Sequence, residues 1–434
     1  MKQKLCVIGE ALIDFIPQRK GCALKDVEGF TRVAGGAPAN VAGAAARLGI
    51  PAMVLTQLGA DAFGDYIIQS LKDSGIDTSH ILQTKEHDTS LSFVSLQEDG
   101  NRDFKFYRRT AADLQYSPDN ISEDILDECG MVHFCSVSLM DSPMKEAHRK
   151  LLDLATRNGV LISFDPNLRF SLWDDEEALR NAVLEFLPYA DILKLSDEEL
   201  EFITGRTDIE AALPQLLQGR CRYIIYTQGK EGASLYRKGE CITSKGHRVD
   251  VVDTTGAGDS FIGAFLYCLL KEGNGDLEEI SCGQLQNHLD FANLYAAHTT
   301  TIAGALAAMA DQQELEAFRH SLELDDDFDD DDDFHRQHRR LSLTRADAKM
   351  RRKGGVKMNE MLELIKTRRS VRAYQRDMVP RELIDQIVEA GLYAPSGMNR
   401  QPVIIIAVSD PKTRDALSRL NASIMGTDGD PFYG

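Results

Sequence analysis

Asp253-Thr254-Thr255-Gly256-Ala257-Gly258-Asp259-Ser260-Phe261 is the stretch around which the rest of the chain is organised. An apolar, β-branched run from Val249 to Val252 precedes it. Phe261 to Leu270 follows, with Phe265, Leu266 and Leu269 at helical spacing. The stretch therefore reads as a loop feeding a helix N-terminus. Its glycines let backbone N–H groups approach a ligand closely, and the helix end adds partial positive charge, so an anion belongs there. Asp259 puts a carboxylate where negative charge would be received. A base beside an anion hole suits proton removal from an attacking hydroxyl while phosphoryl charge is stabilised next door. The pattern is neither G-x-x-x-x-G-K-[ST] nor G-x-G-x-x-G, which sets aside the P-loop and dinucleotide readings. The plainer alternative is a glycine-rich turn in which Asp259 is only a helix-start carboxylate.

The chain has 434 residues, room for one large domain plus a remainder or for two to three domains. A hydrophobic content of 43% with 27% charge is ordinary for a soluble globular protein. No apolar run approaches the ~18–20 residues that a membrane span needs. At the N-terminus, Gly9-Glu10 ends the run Leu5 to Ile8 too soon for a signal peptide, and a first strand fits better. Eight scattered cysteines without a C-x-x-C pair suggest reduced thiols in the cytoplasm. The net charge of −19 argues against nonspecific nucleic-acid binding. Histidines show no metal-ligand spacing, and no Ser/His/Asp order suggests a hydrolase.

Taken in order, Lys4 to Gly9 reads as a buried strand, and Asp14 then interrupts the apolar Ala11 to Ile16. Gly35 to Ala42 opens a helix running to Leu48. Ala52 to Leu58 is another apolar run, and Phe63 to Lys72 an amphipathic helix. A hairpin follows, with Leu91, Phe93 and Val94 on one arm, Phe104, Phe106 and Tyr107 on the other, and Glu98-Asp99-Gly100-Asn101 as the turn. From Met131 the pattern alternates. Strands are expected at Met131–Cys135, Val160–Phe164, Ile192–Leu195 and Tyr223–Thr227. Helices are expected at Pro143–Arg157, around Glu176–Leu187 and from Asp197. Such alternation means βαβ units, a mostly parallel helix-covered sheet, and ligands at the strand C-terminal ends.

Two motifs, D-T-x-G-A-G-D at Asp253 to Asp259 and G-G-A-P-A-N-V-A at Gly35 to Ala42, carry a resemblance. Over about residues 1–320 the chain resembles the ribokinase-like (PfkB) carbohydrate kinases, the bacterial fructokinase branch above all. The resemblance implies an α/β ribokinase-like sandwich with a mostly parallel central sheet and a small β-lid over the substrate. Such a lid excludes water, and lids of this kind pair between subunits, which makes a homodimer plausible. The substrates implied are ATP, with Mg2+, and a small-molecule sugar. Asp259 is then the base and Gly256, Ala257 and Gly258 the anion hole. Asp14 accepts hydrogen bonds from sugar hydroxyls, Gly35 and Gly36 let a polyol touch the backbone, and Asn40 bonds the sugar. For Asn40 a helix cap is the competing reading. Arg169, in Asp165-Pro166-Asn167-Leu168-Arg169, can bind phosphate or a substrate oxygen.

Lys194 and Glu199 follow the next strand. The family shows N-x-x-E there, the Glu acting on the magnesium water shell, whereas this chain has Ser196 in place of the Asn. Glu199 also suits a first helical turn for dipole reasons alone. Thr227, Gly229 and Gly232 match the nucleotide-side loop, and Asn287 would flank the adenine. Asp253 and Thr255, with Gly304 in the Thr301–Ala305 loop, match where relatives hold a potassium ion, although that loop departs from the commoner basic version.

After an expected final helix from Gln312 to Leu322 the composition breaks. The acidic runs Asp325–Asp327 and Asp329–Asp333 give way to a basic stretch, His335 to Lys357, and opposite-sign blocks without a core predict a disordered linker over 323–357. Residues 358–434, with Arg368-Arg369-Ser370-Val371-Arg372 and Ala394-Pro395-Ser396-Gly397-Met398-Asn399-Arg400-Gln401-Pro402, resemble the N-terminal part of the FMN-dependent nitroreductases. That part is an incomplete α+β fragment, so FMN is not expected to bind. The sequence therefore predicts a kinase over 1–322, with fructose the first candidate substrate. An aminoimidazole riboside or other nucleoside kinase is the alternative within the class. An FMN-dependent oxidoreductase acting through the C-terminal segment and a non-catalytic sugar-binding regulator are the alternatives outside it.

Overall fold

A computed structural model describes residues 2–322 of the chain, apart from residues 19, 20, 22, 97–101, 274 and 275. The chain divides into two units, Met1–Leu341 and Ser342–Gly434, and the described residues all fall in the first. The expected hairpin turn at 98–101, the linker over 323–357 and the segment 358–434 lie outside the described residues.

Strand β1 (Lys4–Ile8) has Leu5, Cys6, Val7 and Ile8 fully buried, as a strand covered on both faces must. Strands β2 (Leu12–Pro17) and β3 (Phe30–Gly35) form an antiparallel pair. Helix α1 (Ala37–Arg47) begins after Gly36 with a proline in its first turn, where a missing N–H costs nothing. Strand β4 (Ala52–Gly59) leads to α2 (Ala62–Asp73), whose Asp61 cap accepts from the N–H groups of Phe63 and Gly64. Then come β5 (Ile81–Thr84), β6 (Leu91–Leu96), β7 (Arg102–Tyr107) and β8 (Cys129–Cys135). Three capped βα units follow: α3 (Pro143–Arg157), β9 (Leu161–Asp165), α4 (Glu176–Phe186), β10 (Ile192–Ser196) and α5 (Asp197–Thr204). Helix α6 (Ile209–Leu216) precedes β11 (Tyr223–Thr227), β12 (Gly232–Arg237) and β13 (Glu240–Lys245). Helices α7 (Ala257–Glu272) and α8 (Cys282–Thr300) and a helical segment over 312–322 complete the unit.

The strands form a nine-stranded sheet in the order β13-β12-β11-β10-β9-β8-β1-β4-β5. Neighbours from β11 to β5 run parallel, and β12 and β13 close the edge antiparallel. The chain moves outward from β1 through β4 on one side and through β8 on the other. That reversal opens a crevice beyond the C-terminal ends of β1 and β8, where α/β sheets bind ligands. Side chains alternate across the sheet. Leu5 and Val7 join one hydrophobic cluster with α1, α7 and α8, whereas Cys6 and Ile8 join the other with α3 and α4. A separate four-stranded sheet, β3-β2-β6-β7, is the expected lid.

Two features differ from the sequence reading. The strands β12 and β13 were not foreseen, since β12 mixes small and polar residues into a short run and β13, at the edge, exposes polar residues on one face. The apolar run Val249 to Val252 is not a strand. It connects β13 to α7, with Val251 58% and Val252 47% exposed, and its end is held where the N–H groups of Val252 and Asp253 meet the Thr300 carbonyl.

Candidate active site

The N-terminus of α7 is built by its glycines. Gly256 caps the helix at φ +77°, a conformation that side chains resist, and a Cβ there would lie 2.7 Å from the Ala305 methyl. A Cβ on Gly258 would lie 3.2 Å from the Lys194 ammonium. At the start of α7 the Ala257 N–H donates to the Thr254 carbonyl (3.3 Å), while the N–H groups of a helix's first turn otherwise lack an acceptor within the helix. Asp253 fixes the loop that feeds them. Its Oδ1 accepts from the Thr255 N–H (2.9 Å) and hydroxyl (2.7 Å), and its Oδ2 accepts from the Gly304 N–H (3.1 Å). The three residues expected at a cation site thus meet.

Asp259, in the first turn of α7, is 6% exposed. Asn40 donates from Nδ2 to its Oδ2 at 2.8 Å, and Asn167 donates to its Oδ1 at 2.9 Å. Burial pushes the Asp259 carboxyl above its ordinary value, against the pull of the Asn40 amide and of Arg169, Lys194 and Asn167. The helix-cap reading of Asn40 fails, because Gly36 is the cap and Asn40 lies inside α1. Its Oδ1 is buried with no protein partner, an acceptor still to be filled.

Asp14 on β2 lines the same cavity as Asp259 and is 9% exposed, with burial pushing its pKa up to about 6. Gly35 and Gly36 open space, but protein atoms take it. A Cβ on Gly35 would collide with the Asp14 carboxylate, and one on Gly36, at φ +110°, would lie 2.5 Å from the Glu10 carbonyl oxygen. These glycines therefore seat Asp14 and the start of α1 before they can serve any ligand. Beside Gly258 at the start of α7, Lys194 pairs with Asp165 at 2.9 Å. Burial alone would lower the pKa of Lys194, and Asp165 and Glu199 outweigh it, so the ammonium is held charged.

The cavity enclosed by these groups has a volume of about 170 Å³. Its lining includes Asp14, Gly36, Asn40, Arg169, Lys194, Thr255, Gly256, Gly258 and Asp259. Glu199 is more heavily engaged than expected. It forms a capping box with Ser196, its Oε2 accepting from the Ser196 N–H (2.8 Å), while its Oε1 accepts from the Leu168 N–H (3.1 Å). Ser196, found where relatives carry Asn, is thus the cap of α5.

Thr227 ends β11, Gly229 lies in the loop after it and Gly232 opens β12, but none of the three lines this cavity. The Thr227 hydroxyl donates to the Leu195 carbonyl, and Gly232, at φ +106°, seats β12 against Ser244. Asn287 is not brought to the cavity. It lines a separate groove with His288 and Phe291 of α8.

Three contributors were missed. Asn167 was quoted only as part of a segment, although its signal was available, since Asn readily takes the left-handed conformation that ends such a strand. Glu10, 2% exposed, accepts from the Ala37 N–H (3.1 Å) and the Ser138 hydroxyl (2.9 Å), and so anchors α1. Arg108, just past β7, is buried against Asp113, Ser138 and the Val137 carbonyl, which ties the lid to the same point.

A lidded α/β fold that presents a carboxylate and a buried ammonium at an anion-binding helix start is built for phosphoryl transfer to a small hydroxyl compound. Residues 2–312 match the model of the pfkB family carbohydrate kinases, and the chain belongs to that family. It is 39% identical over 318 residues to probable fructokinase-4 of Arabidopsis thaliana, covering 73% of this chain and 96% of the relative. Fructokinase-1 of Zea mays is 36% identical over 308 residues, covering 71% of this chain and 94% of the relative. Among solved structures, fructokinase from Xylella fastidiosa with bound ATP superposes with a TM-score of 0.66 at 32% identity, covering 74% of this chain and 99% of that one. Fructokinase from Vibrio cholerae O395 in its fructose, ADP and calcium ion bound form gives 0.66 at 31%, covering 73% and 99%. The chain is an ATP-dependent sugar kinase. Residues 365–428 match the nitroreductase family. Among the described residues no helix is long and apolar enough to cross a membrane.

Proposed function

We propose that this kinase phosphorylates fructose, with Asp259 as general base and the Gly256-Ala257-Gly258 helix start as anion hole. The observation that carries the reading is the Asp259 carboxylate, held by two amides in a cavity that Asp14 also lines. Asp14 accepts from sugar hydroxyls, and the open Asn40 Oδ1 takes another. The hydroxyl lying against Asp259 loses its proton as it attacks the γ-phosphoryl of ATP. Arg169 and the charged Lys194 offset the charge that develops on the transferred group.

Among the described residues no group of three His, Cys, Asp or Glu could hold a metal, which suits Mg2+ arriving as part of the ATP substrate. Glu199 reaches that ion's water shell only through lone pairs its backbone contacts leave over. Asp253, Thr255 and Gly304 join the two loops that would hold K+, and the charge of Asp253 suits a monovalent cation there. A second copy of the chain would pair through the lid, where Tyr107 is 61% exposed beside Phe93.

The polar lining of this cavity, with Asp14, Asn40, Arg169 and Asp259, suits a polyhydroxylated sugar. An aromatic residue in its lining, Phe106 of the lid, favours a flat ring and keeps an aminoimidazole riboside as the second reading. Release of ADP measured over a panel of sugars and nucleosides with Mg-ATP separates the two. Asp259→Asn should cut turnover by roughly 10²–10⁴-fold while sugar affinity survives, and unchanged turnover removes Asp259 as the base.

A further inference from the structure

The loop after β9 is held in an unusual shape at the one point where it touches the base. Among the described residues Asn167 is the only non-glycine with positive φ, at +47°. Neighbours pin the loop on both sides. The Pro166 carbonyl accepts from the Ser136 N–H (3.0 Å), and the Leu168 N–H donates to Glu199 (3.1 Å). Asparagine takes this left-handed conformation more easily than other side chains do. Here the conformation aims an amide, 8% exposed, at Asp259.

We propose that Asn167 is a positioning residue for phosphoryl transfer, its amide acting with Asn40 as a bracket that fixes the Asp259 carboxylate for proton abstraction. A carboxylate offers about four lone-pair sites, and the two amides occupy one on each oxygen. Each oxygen keeps a lone pair that a sugar hydroxyl can meet. Two N–H donors on opposite oxygens also prevent rotation of the carboxylate, which fixes the direction from which the hydroxyl must approach. An amide is the group the geometry needs. A carboxylate at 167 would oppose Asp259, and an alkyl group would leave Oδ1 unmatched.

The bracket has an electrostatic consequence. Donors to the ionised form pull the Asp259 pKa down against the rise that burial causes. The charged groups facing it are Arg169 and Lys194, which assist the amides, and Asp14 and Asp165, which oppose them. Loss of the Asn167 donor therefore moves the acidic limb of the rate profile upward.

Asn167→Gly is the informative variant, because glycine adopts positive φ freely and removes only the amide. The inference rests on Asp259 being the base, so Asp259→Asn is measured alongside. For Asn167→Gly the expected result is an unchanged melting temperature and ATP KM, with kcat lower by ~10–100-fold. The acidic limb of kcat/KM against pH should also move up. Asn167→Asp should move that limb further in the same direction. Wild-type kcat and an unmoved limb in Asn167→Gly overturn the proposal, as does a lower kcat with an unmoved limb, which would make the residue purely structural. If Asp259→Asn itself keeps full turnover, the assignment of the base fails. If only that variant is inactive, the bracket alone is wrong.

Discussion

Asp14→Asn should stabilise the free enzyme at neutral pH while crippling sugar binding. Burial raises the Asp14 pKa from the ordinary 3.8 to about 6. A rise of that size corresponds to about 3 kcal/mol. Because the folded value lies above the unfolded one, the unfolded chain releases the proton first as pH climbs. The stability linked to this group is fully present below pH 3.8 and is lost as pH rises through about 6. At pH 7.5 the folded enzyme therefore carries a charged, desolvated carboxylate at its full cost. The amide variant avoids the charge but must satisfy its own N–H groups, so a gain of ~1–3 kcal/mol remains, roughly 2–6 °C in melting temperature. Thermal unfolding without sugar, followed from pH 4.5 to 8 for both proteins, reads the difference directly. It should be largest at pH 7.5 and close on acidification. Sugar KM should rise on the order of 10²-fold, as charge-assisted contacts to hydroxyls are lost. In the wild type, KM should rise as pH falls below about 6, where Asp14 takes up a proton. A variant that melts no higher at pH 7.5, or whose advantage ignores pH, refutes the argument.

Gly256→Ala must hold a side chain at φ +77° against Ala305, costing ~1–3 kcal/mol. ATP titration should show KM raised at least about tenfold as the anion hole shifts. Lys194→Met leaves Asp165 buried without its partner, and denaturant unfolding should show a loss of about 3–5 kcal/mol, part of which the added change Asp165→Asn restores. Removal of residues 325–434 should leave kinase activity and melting temperature nearly unchanged, since the described unit closes its own core with Leu315, 3% exposed, in its last helix. Limited proteolysis with flavin fluorescence on the full chain checks the other half of that claim, and a protected tail carrying stoichiometric FMN would contradict it.

Much of the fold could be read from local patterns because parallel strands must be apolar on both faces. The run Val160–Phe164 became β9 at Leu161–Asp165, and the capped amphipathic pattern Pro143–Arg157 became α3 with the same bounds. The edge pair broke the rule. In β13, Ile242 and Ser244 turn inward while Glu240, Cys241, Thr243 and Lys245 stay exposed, too weak an alternation to separate from a loop. Val249 to Val252 erred in the other direction, since composition cannot tell a strand from a connector whose valines face outward.

The site divided along a different line. Residue type and motif were enough to name the carboxylates, but not to say which remain available for chemistry. Glu199 and Asp253 both spend their oxygens on backbone N–H groups, so one caps a helix and the other ties two loops. Asp14 and Asp259 share the same residue type, yet they face the cavity with lone pairs open. What separates the two sets is long-range. The amide that holds Asp259 comes from Asn40, 219 residues earlier in the chain, and its counterpart from Asn167, 92 residues earlier. Neither pairing leaves a periodic trace, because one depends on helix α1 and the other on the loop after β9 meeting the start of α7 in three dimensions. A motif can therefore place a base in the sequence, whereas its orientation, and with it the direction of attack, is set by partners that only the folded sheet brings into reach.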